Sequence, residues 1–179
     1  MNYHNIVQND LMNGPGLRVV LFVSGCDHHC KNCQNPQTWD YNSGIPFDEP
    51  AMFEIIQGLK NDYISGLTIS GGDPLSEKNI SVVMDIINRV REIYGNEKSI
   101  WVYTGYTIDE LIDRGDITTT SILKSIDGLV DSEYIDELKS PELPWIGSSN
   151  QHVFQMKSSM LDYHNNNLLT SYKEENGGK

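Results

Sequence analysis

The sequence predicts an α/β protein whose alternating strands and helices form an incomplete βα barrel. Three observations carry this expectation. Short apolar runs bounded by glycine or polar residues read as buried strands, and amphipathic stretches of helical period fall between them. Unusual loop segments follow three successive strands, where βα folds place their sites. A chain of 179 residues is too short for a closed eight-stranded barrel, which takes about 250 residues.

The elements follow in order. Asn13-Gly14-Pro15-Gly16 is a turn cluster. Residues 18–24 (RVVLFVS) then form a buried strand between Gly16 and Gly25. A helix begins near Asp48, with Pro50 accommodated in its first turn and Met52, Ile55, Ile56 and Leu59 on its apolar face. Residues 67–70 form a second strand, ending at Gly71-Gly72. Ser76 caps a longer helix with Ile80, Val83, Met84, Ile87 and Val90 on one face, stopped by Gly95. Residues 100–103 form a third strand, and Thr107 to Glu110 form a capping box for a short helix carrying Leu111 and Ile112. Residues 128–130 and 152–154 supply a fourth and a fifth strand. One domain is expected over 1–161, with a polar, frayed tail over 162–179. Alternation of this kind implies a parallel sheet.

Composition narrows the function. At 38% hydrophobic and 21% charged residues, the chain has the balance of a soluble globular domain. Its longest apolar run, residues 19–23, is far short of a membrane span, and the N-terminus lacks the features of a signal peptide, so a cytoplasmic protein is expected. A net charge of −12 argues against nucleic acid as a partner, because phosphate backbones would be repelled. The 3 cysteines all lie in one short window. An odd, crowded set makes a poor disulfide framework and a better metal site.

That window, Cys26 to Cys33, has the spacing C-x3-C-x2-C. Three soft thiolates on a short loop suit an iron–sulfur cluster or zinc. A four-iron cluster on three cysteines leaves one iron open to a substrate. A closed zinc site needs a fourth ligand, which His28 or His29 would have to supply. Both histidines sit between the first two cysteines, where reaching back strains the loop, and they read more simply as solvated loop residues. Spacing alone favours the open cluster and leaves zinc standing. Gly71-Gly72-Asp73-Pro74 shifts the balance: glycines at a strand end allow close backbone approach to a ligand. Pro74 holds Asp73 extended, so that its carboxylate and nearby backbone oxygens meet a cationic amine. Alone, such a segment reads as an ordinary strand-to-helix turn.

With C-x3-C-x2-C after the first strand and G-G-D after the second, the chain resembles the radical S-adenosylmethionine superfamily. Within it the similarity is to activases of glycyl-radical enzymes, carried by Met1-Asn2-Tyr3, Asn13 to Gly16, Leu21 to Cys26, Thr38-Trp39, Gly71 to Leu75, Trp101 with Thr104-Gly105-Tyr106, and Trp145 with Gly147 to Gln151. The resemblance implies a [4Fe-4S] cluster on Cys26, Cys30 and Cys33, with no catalytic side chain beyond these ligands. It implies S-adenosyl-L-methionine held by Asn32, Cys33, Gln34, Gly71, Gly72 and Asp73. It also implies reductive cleavage to methionine and a 5′-deoxyadenosyl radical, which removes an α-hydrogen from a partner's glycine. The implied partner is the large subunit of anaerobic ribonucleoside-triphosphate reductase, with an electron donor such as a flavodoxin. A formate-lyase is the alternative target, and a non-catalytic zinc-binding interaction module the alternative from another class. The family more often has glycine and tyrosine at the positions of Asn32 and Gln34, glutamate at Asp73 and arginine at Ile146.

Overall fold

The computed structural model describes residues 1–156, so the expected tail from 162 onward lies outside the described residues. Seven strands form one sheet: β1 (Asn2–Asp10), β2 (Leu17–Val23), β3 (Ile45–Pro46), β4 (Ile64–Gly71), β5 (Ser99–Tyr103), β6 (Gly128–Asp131) and β7 (His152–Gln155), in the spatial order β3-β1-β2-β4-β5-β6-β7. The four central strands β2, β4, β5 and β6 are mutually parallel, as alternation predicts. The flanking strands β1, β3 and β7 pair antiparallel, so the sheet is mixed. β1 escaped sequence reading because its segment NYHNIVQND buries only Tyr3 and Ile6 and its register is broken by irregularities.

Among the described residues four α-helices accompany the sheet: α1 (Glu49–Leu59), α2 (Ile80–Tyr94), α3 (Ile108–Asp113) and α4 (Ile117–Ser125). Asp48 caps α1 through Ala51 N–H at 3.0 Å, with Pro50 in the first turn and Ile55 and Leu59 buried. The Thr107–Glu110 capping box forms at α3. α4 was hidden by its run of β-branched residues, although Asp116 caps it through Thr119 N–H at 2.8 Å. Ser76 is not the cap of α2. That helix starts four residues later, after Asn79, and Ser76 opens the turn before it by accepting from Asn79 N–H and Ile80 N–H through its carbonyl. Gly95, at φ 55°, ends α2 as expected.

The order β2-β4-β5-β6 advances in one direction, so right-handed crossovers return the helices to a single face of the sheet. That face buries Val19, Leu21, Val23, Leu67, Ile69, Ile100, Val102 and Leu129 against Ile55, Leu59, Val83, Ile87 and Ile122. Each such side chain contributes about 1.5–3 kcal/mol on removal from water. Strand alternation turns Arg18, Phe22, Thr68, Ser70, Ser99, Trp101 and Tyr103 to the other face. There a smaller cluster of Trp101, Val130 and Val153 is joined by Tyr103, Trp145 and Ile146.

Arg18 lies fully buried on that second face. Its Nε donates to Thr68 Oγ1 at 2.6 Å, Nη1 to Pro15 O at 3.1 Å and Ser99 Oγ at 2.9 Å, and Nη2 to Leu67 O at 2.7 Å and Ser99 O at 3.0 Å. Burial pulls its pKa down to about 10. The guanidinium thereby pins the 13–16 turn over β4 and β5 without a carboxylate among its hydrogen-bond partners.

Candidate functional site

A cavity of about 570 Å³ opens at the C-terminal ends of the parallel strands, the size range of small-molecule sites. Cys26, Cys30 and Cys33 line it from the loop after β2, Gly71 to Asp73 from the end of β4, Tyr103 to Gly105 from the end of β5, and Ser132 to Tyr134 from the loop after β6. The three segments that the sequence singled out converge there. Gln34 also lines the cavity; Asn32 does not. Asn32 takes the left-handed conformation (φ 56°) in the turn between Cys30 and Cys33, and its amide donates to Asp136 Oδ2 at 2.7 Å. Its side chain is therefore spent on an exposed tether.

The cysteine loop is shaped by its own backbone. Gly25 N–H donates to Thr38 O at 2.7 Å and Cys26 N–H to Trp39 O at 3.0 Å, which brings the loop back on itself; Cys33 N–H closes onto Cys30 O at 3.1 Å. All three thiols are unbridged and partly exposed. Burial pushes the Cys26 thiol up to about 11 and raises that of Cys30. A bare thiolate is thus disfavoured at these positions, and bonding to a metal centre offsets that cost.

The second motif is built tightly onto the first. Gly72 N–H donates to Val23 O at 2.8 Å and Asp73 N–H to Gly25 O at 2.7 Å. A Cβ on Gly72 would lie 2.4 Å from Gly25 O. The glycine that sequence reading assigned to ligand approach is needed first for contact between the two motif loops. Asn79, which the sequence did not signal, locks the same junction: its Nδ2 donates to Ser24 O and to Asp73 O, each at 2.9 Å.

Asp73 is 1% exposed, and its carboxylate is committed inside the protein. Leu75 N–H (2.8 Å) and Thr104 Oγ1–H (2.9 Å) donate to Oδ1, while Gly105 N–H (3.0 Å) and His28 Nε2–H (2.8 Å) donate to Oδ2. These four fill the acceptor capacity of a carboxylate. The expected contact of this carboxylate with a cationic amine finds no free lone pair.

His28 also departs from the expectation of a solvated loop residue. Its side chain is 11% exposed, and its Nδ1–H donates to Glu133 Oε1 at 2.9 Å. Hydrogen bonding to Asp73, supported by Glu133, pushes its pKa up to about 9, so both ring nitrogens carry protons at neutral pH. An imidazole used in this way has no nitrogen left for a metal. His29, in the left-handed region at φ 51°, packs edge-on against Trp39 at 4.9 Å. Among the described residues no three His, Cys, Asp or Glu side chains, the cysteines included, converge closely enough for a single metal ion, whereas a cluster binds each cysteine through a different iron. The donor set facing the cavity is three soft sulfurs on one loop, which fits a multi-iron cluster with one iron left to an exogenous ligand.

Residues 12–154 match the family described as a 4Fe-4S single cluster domain. The chain is 42% identical over 160 residues to the anaerobic ribonucleoside-triphosphate reductase-activating protein of Escherichia coli K12, covering 88% of this chain and 100% of that protein. It is 44% identical over 155 residues to the protein of the same name from Vibrio cholerae (86% and 97%). The bacteriophage T4 protein of that name is 39% identical over 154 residues (86% and 94%). Similarity of this breadth spans both motif loops and all four parallel strands, and the chain belongs to the family of anaerobic ribonucleoside-triphosphate reductase-activating proteins.

Proposed function

We propose that this protein is an activase that uses a [4Fe-4S] cluster on Cys26, Cys30 and Cys33, together with S-adenosylmethionine, to install a glycyl radical on anaerobic ribonucleoside-triphosphate reductase. The observation that carries the reading is the set of three unbridged thiols on the wall of one cavity, facing the Gly71–Asp73 turn at the C-terminal strand ends. Membership in a family named for activating this reductase supplies the target. When bound, the reduced cluster and S-adenosylmethionine supply a carbon-centred radical that abstracts a glycine hydrogen, leaving methionine and 5′-deoxyadenosine.

The chain's own residues bind and orient. The three cysteines would each hold one iron of the cluster. Cys33 Sγ also accepts from Asn35 N–H at 3.3 Å, which fixes that sulfur's direction. The end of β4 brings Gly71 and Gly72 beside the cysteine loop, and Phe22, Tyr103, Trp145 and Ile146 give the cavity an apolar wall that keeps water from the reacting carbon. The one-directional strand order, with helices on one face and the cavity on the other, supports an incomplete βα barrel, and we take 1–161 as its domain. We place the protein in the cytoplasm with a low-potential donor such as a flavodoxin; among the described residues no helix is long and apolar enough to cross a membrane.

The zinc reading is disfavoured because, of its two candidate fourth ligands, His28 has both ring nitrogens engaged with carboxylates and His29 packs edge-on against Trp39. The test is anaerobic reconstitution with iron and sulfide, then incubation with S-adenosylmethionine, reductant and the reductase. Formation of 5′-deoxyadenosine together with a glycyl radical signal on the reductase is expected. Cleavage with no radical on the reductase would remove that target, and no cleavage at all would remove the activity.

A further inference from the structure

The cysteine loop has a backbone anchor just before Cys26, through Gly25 and Asp73 N–H at 2.7 Å. Between Cys26 and Cys30 the side chain that reaches from the loop to the β4 turn is that of His28. It reaches Asp73 at 2.8 Å on one side and Glu133 at 2.9 Å on the other, and its ring stands edge-on to Tyr106 at 4.5 Å. Space for the ring is made by Gly105, where a Cβ would lie 2.5 Å from His28 Cδ2. Gly105 N–H and Thr104 Oγ1–H also converge on Asp73. Four chain segments therefore meet at one imidazole: the cysteine loop, the G-G-D turn, the T-G-Y turn and the loop after β6.

We infer that His28 is a positioning residue, which holds the cysteine loop in register with the Gly71–Asp73 turn so that cluster and S-adenosylmethionine share one geometry. The inference rests on the functional reading above. A side chain that only filled space would not engage both ring nitrogens, and a ligand would leave one of them free. With Cys26 flanked by two anchors, the Gly25 backbone and the His28–Asp73 pair, its sulfur is fixed relative to the β4 end. Loss of the second anchor leaves the three sulfurs on the loop and frees the loop to drift from the cofactor-binding edge. The deficit then falls on cofactor binding, not on iron content.

The test uses the full chain, reconstituted anaerobically, with His28→Ala, His28→Gln, Gly105→Ala and, as control, His29→Ala. His28→Ala is expected to keep its iron and sulfide, to raise KM for S-adenosylmethionine about tenfold and to leave kcat nearly unchanged, the range typical of residues that orient metal ligands. His28→Gln still donates one N–H toward Asp73 and is expected to recover most of the loss. Gly105→Ala evicts the ring and should reproduce the His28→Ala phenotype. Hydrogen exchange on the metal-free chain gives a readout independent of turnover: the Gly105 amide, which donates to Asp73, should exchange faster in His28→Ala and remain slow in His29→Ala. An unchanged KM overturns the inference, as does loss of iron matching that of a cysteine variant. If the wild-type protein fails to cleave S-adenosylmethionine, the functional reading falls, and unaltered exchange at Gly105 would separately remove the anchor.

Discussion

Gly72→Ala isolates the contact between the two motif loops. The added Cβ would sit 2.4 Å from Gly25 O, 2.9 Å from its C and 3.0 Å from its N, all backbone atoms with little freedom to swing away. Ordinary contact begins near 3.4 Å, so the loops must separate by about 1 Å. The Asp73 N–H···O Gly25 bond, now 2.7 Å, would then stretch past hydrogen-bonding range. Losing a buried hydrogen bond costs about 1–3 kcal/mol, and overpacking adds about 1–3 kcal/mol. A total near 3 kcal/mol lowers Tm by roughly 6–12 °C for a chain of this length. The assay is thermal unfolding of the metal-free chain. Gly58→Ala is the matched control. Its Cβ meets Gln8 Oε1 at 2.2 Å, a similar overlap, but with the far end of an exposed, flexible side chain. Placed in α1, that change should be neutral or stabilising by up to about 1 kcal/mol. A Gly72→Ala protein melting within 2 °C of wild type, an interval of about one-half to one kcal/mol, would refute the claim that this contact is rigid.

Replacing Cys26, Cys30 or Cys33 singly by alanine should abolish S-adenosylmethionine cleavage and most bound iron, measured by product chromatography and iron analysis. Arg18→Met removes the guanidinium bonds to Thr68 Oγ1 and to the carbonyls of Leu67 and Ser99, and should cost roughly 2–4 kcal/mol in urea unfolding with little change in m. Asn79→Ala removes the Nδ2 bonds to Ser24 O and Asp73 O and a longer one to Gly25 O at 3.4 Å, and should cost about 1–3 kcal/mol; its combination with Gly72→Ala should be less than additive, since both act on Gly25 and Asp73. Asp73→Asn points an amide N–H at donors already in place, and should lower Tm of the metal-free chain by several degrees. Were Asp73 reserved for a cofactor amine, that metal-free stability would not move.

Much of the parallel layer was legible because its strands are buried on both faces and read as continuous apolar runs, as in Val19 to Val23. The cysteine loop stands out in the sequence because three cysteines at fixed spacing point to a metal centre without reference to fold. β1 was not, because an edge-side strand carrying one or two buried residues has no periodic signal to offer. The start of α2 was missed for a different reason: Ser76 and Asn79 are both good caps in the abstract, and the choice between them is made by tertiary contacts, with Asn79 drawn to Ser24 O and Asp73 O. His28 was misread because its partners Asp73 and Glu133 are 45 and 105 residues away. Local sequence shows a histidine in a loop; only the fold reveals two carboxylates waiting for it.

The same long-range pairing changes what the G-G-D motif means in this chain. An aspartate is one methylene shorter than the glutamate that the family resemblance leads one to expect there, and its carboxylate is enclosed among the strand ends. Four donors from three segments close on it, and one is a histidine whose pKa of about 9 keeps it cationic. A buried carboxylate so surrounded depends on its partners, since removing His28 leaves its charge uncompensated and removing any of the other three leaves it a hydrogen bond short. Asp73 and His28 are therefore better regarded as one unit: the acid specifies where the cysteine loop must lie, and the base carries that requirement to the residues between the first two sulfurs. On the proposed function, cofactor contact at this edge would fall to the backbone of Gly71 and Gly72, beside which the pair lies.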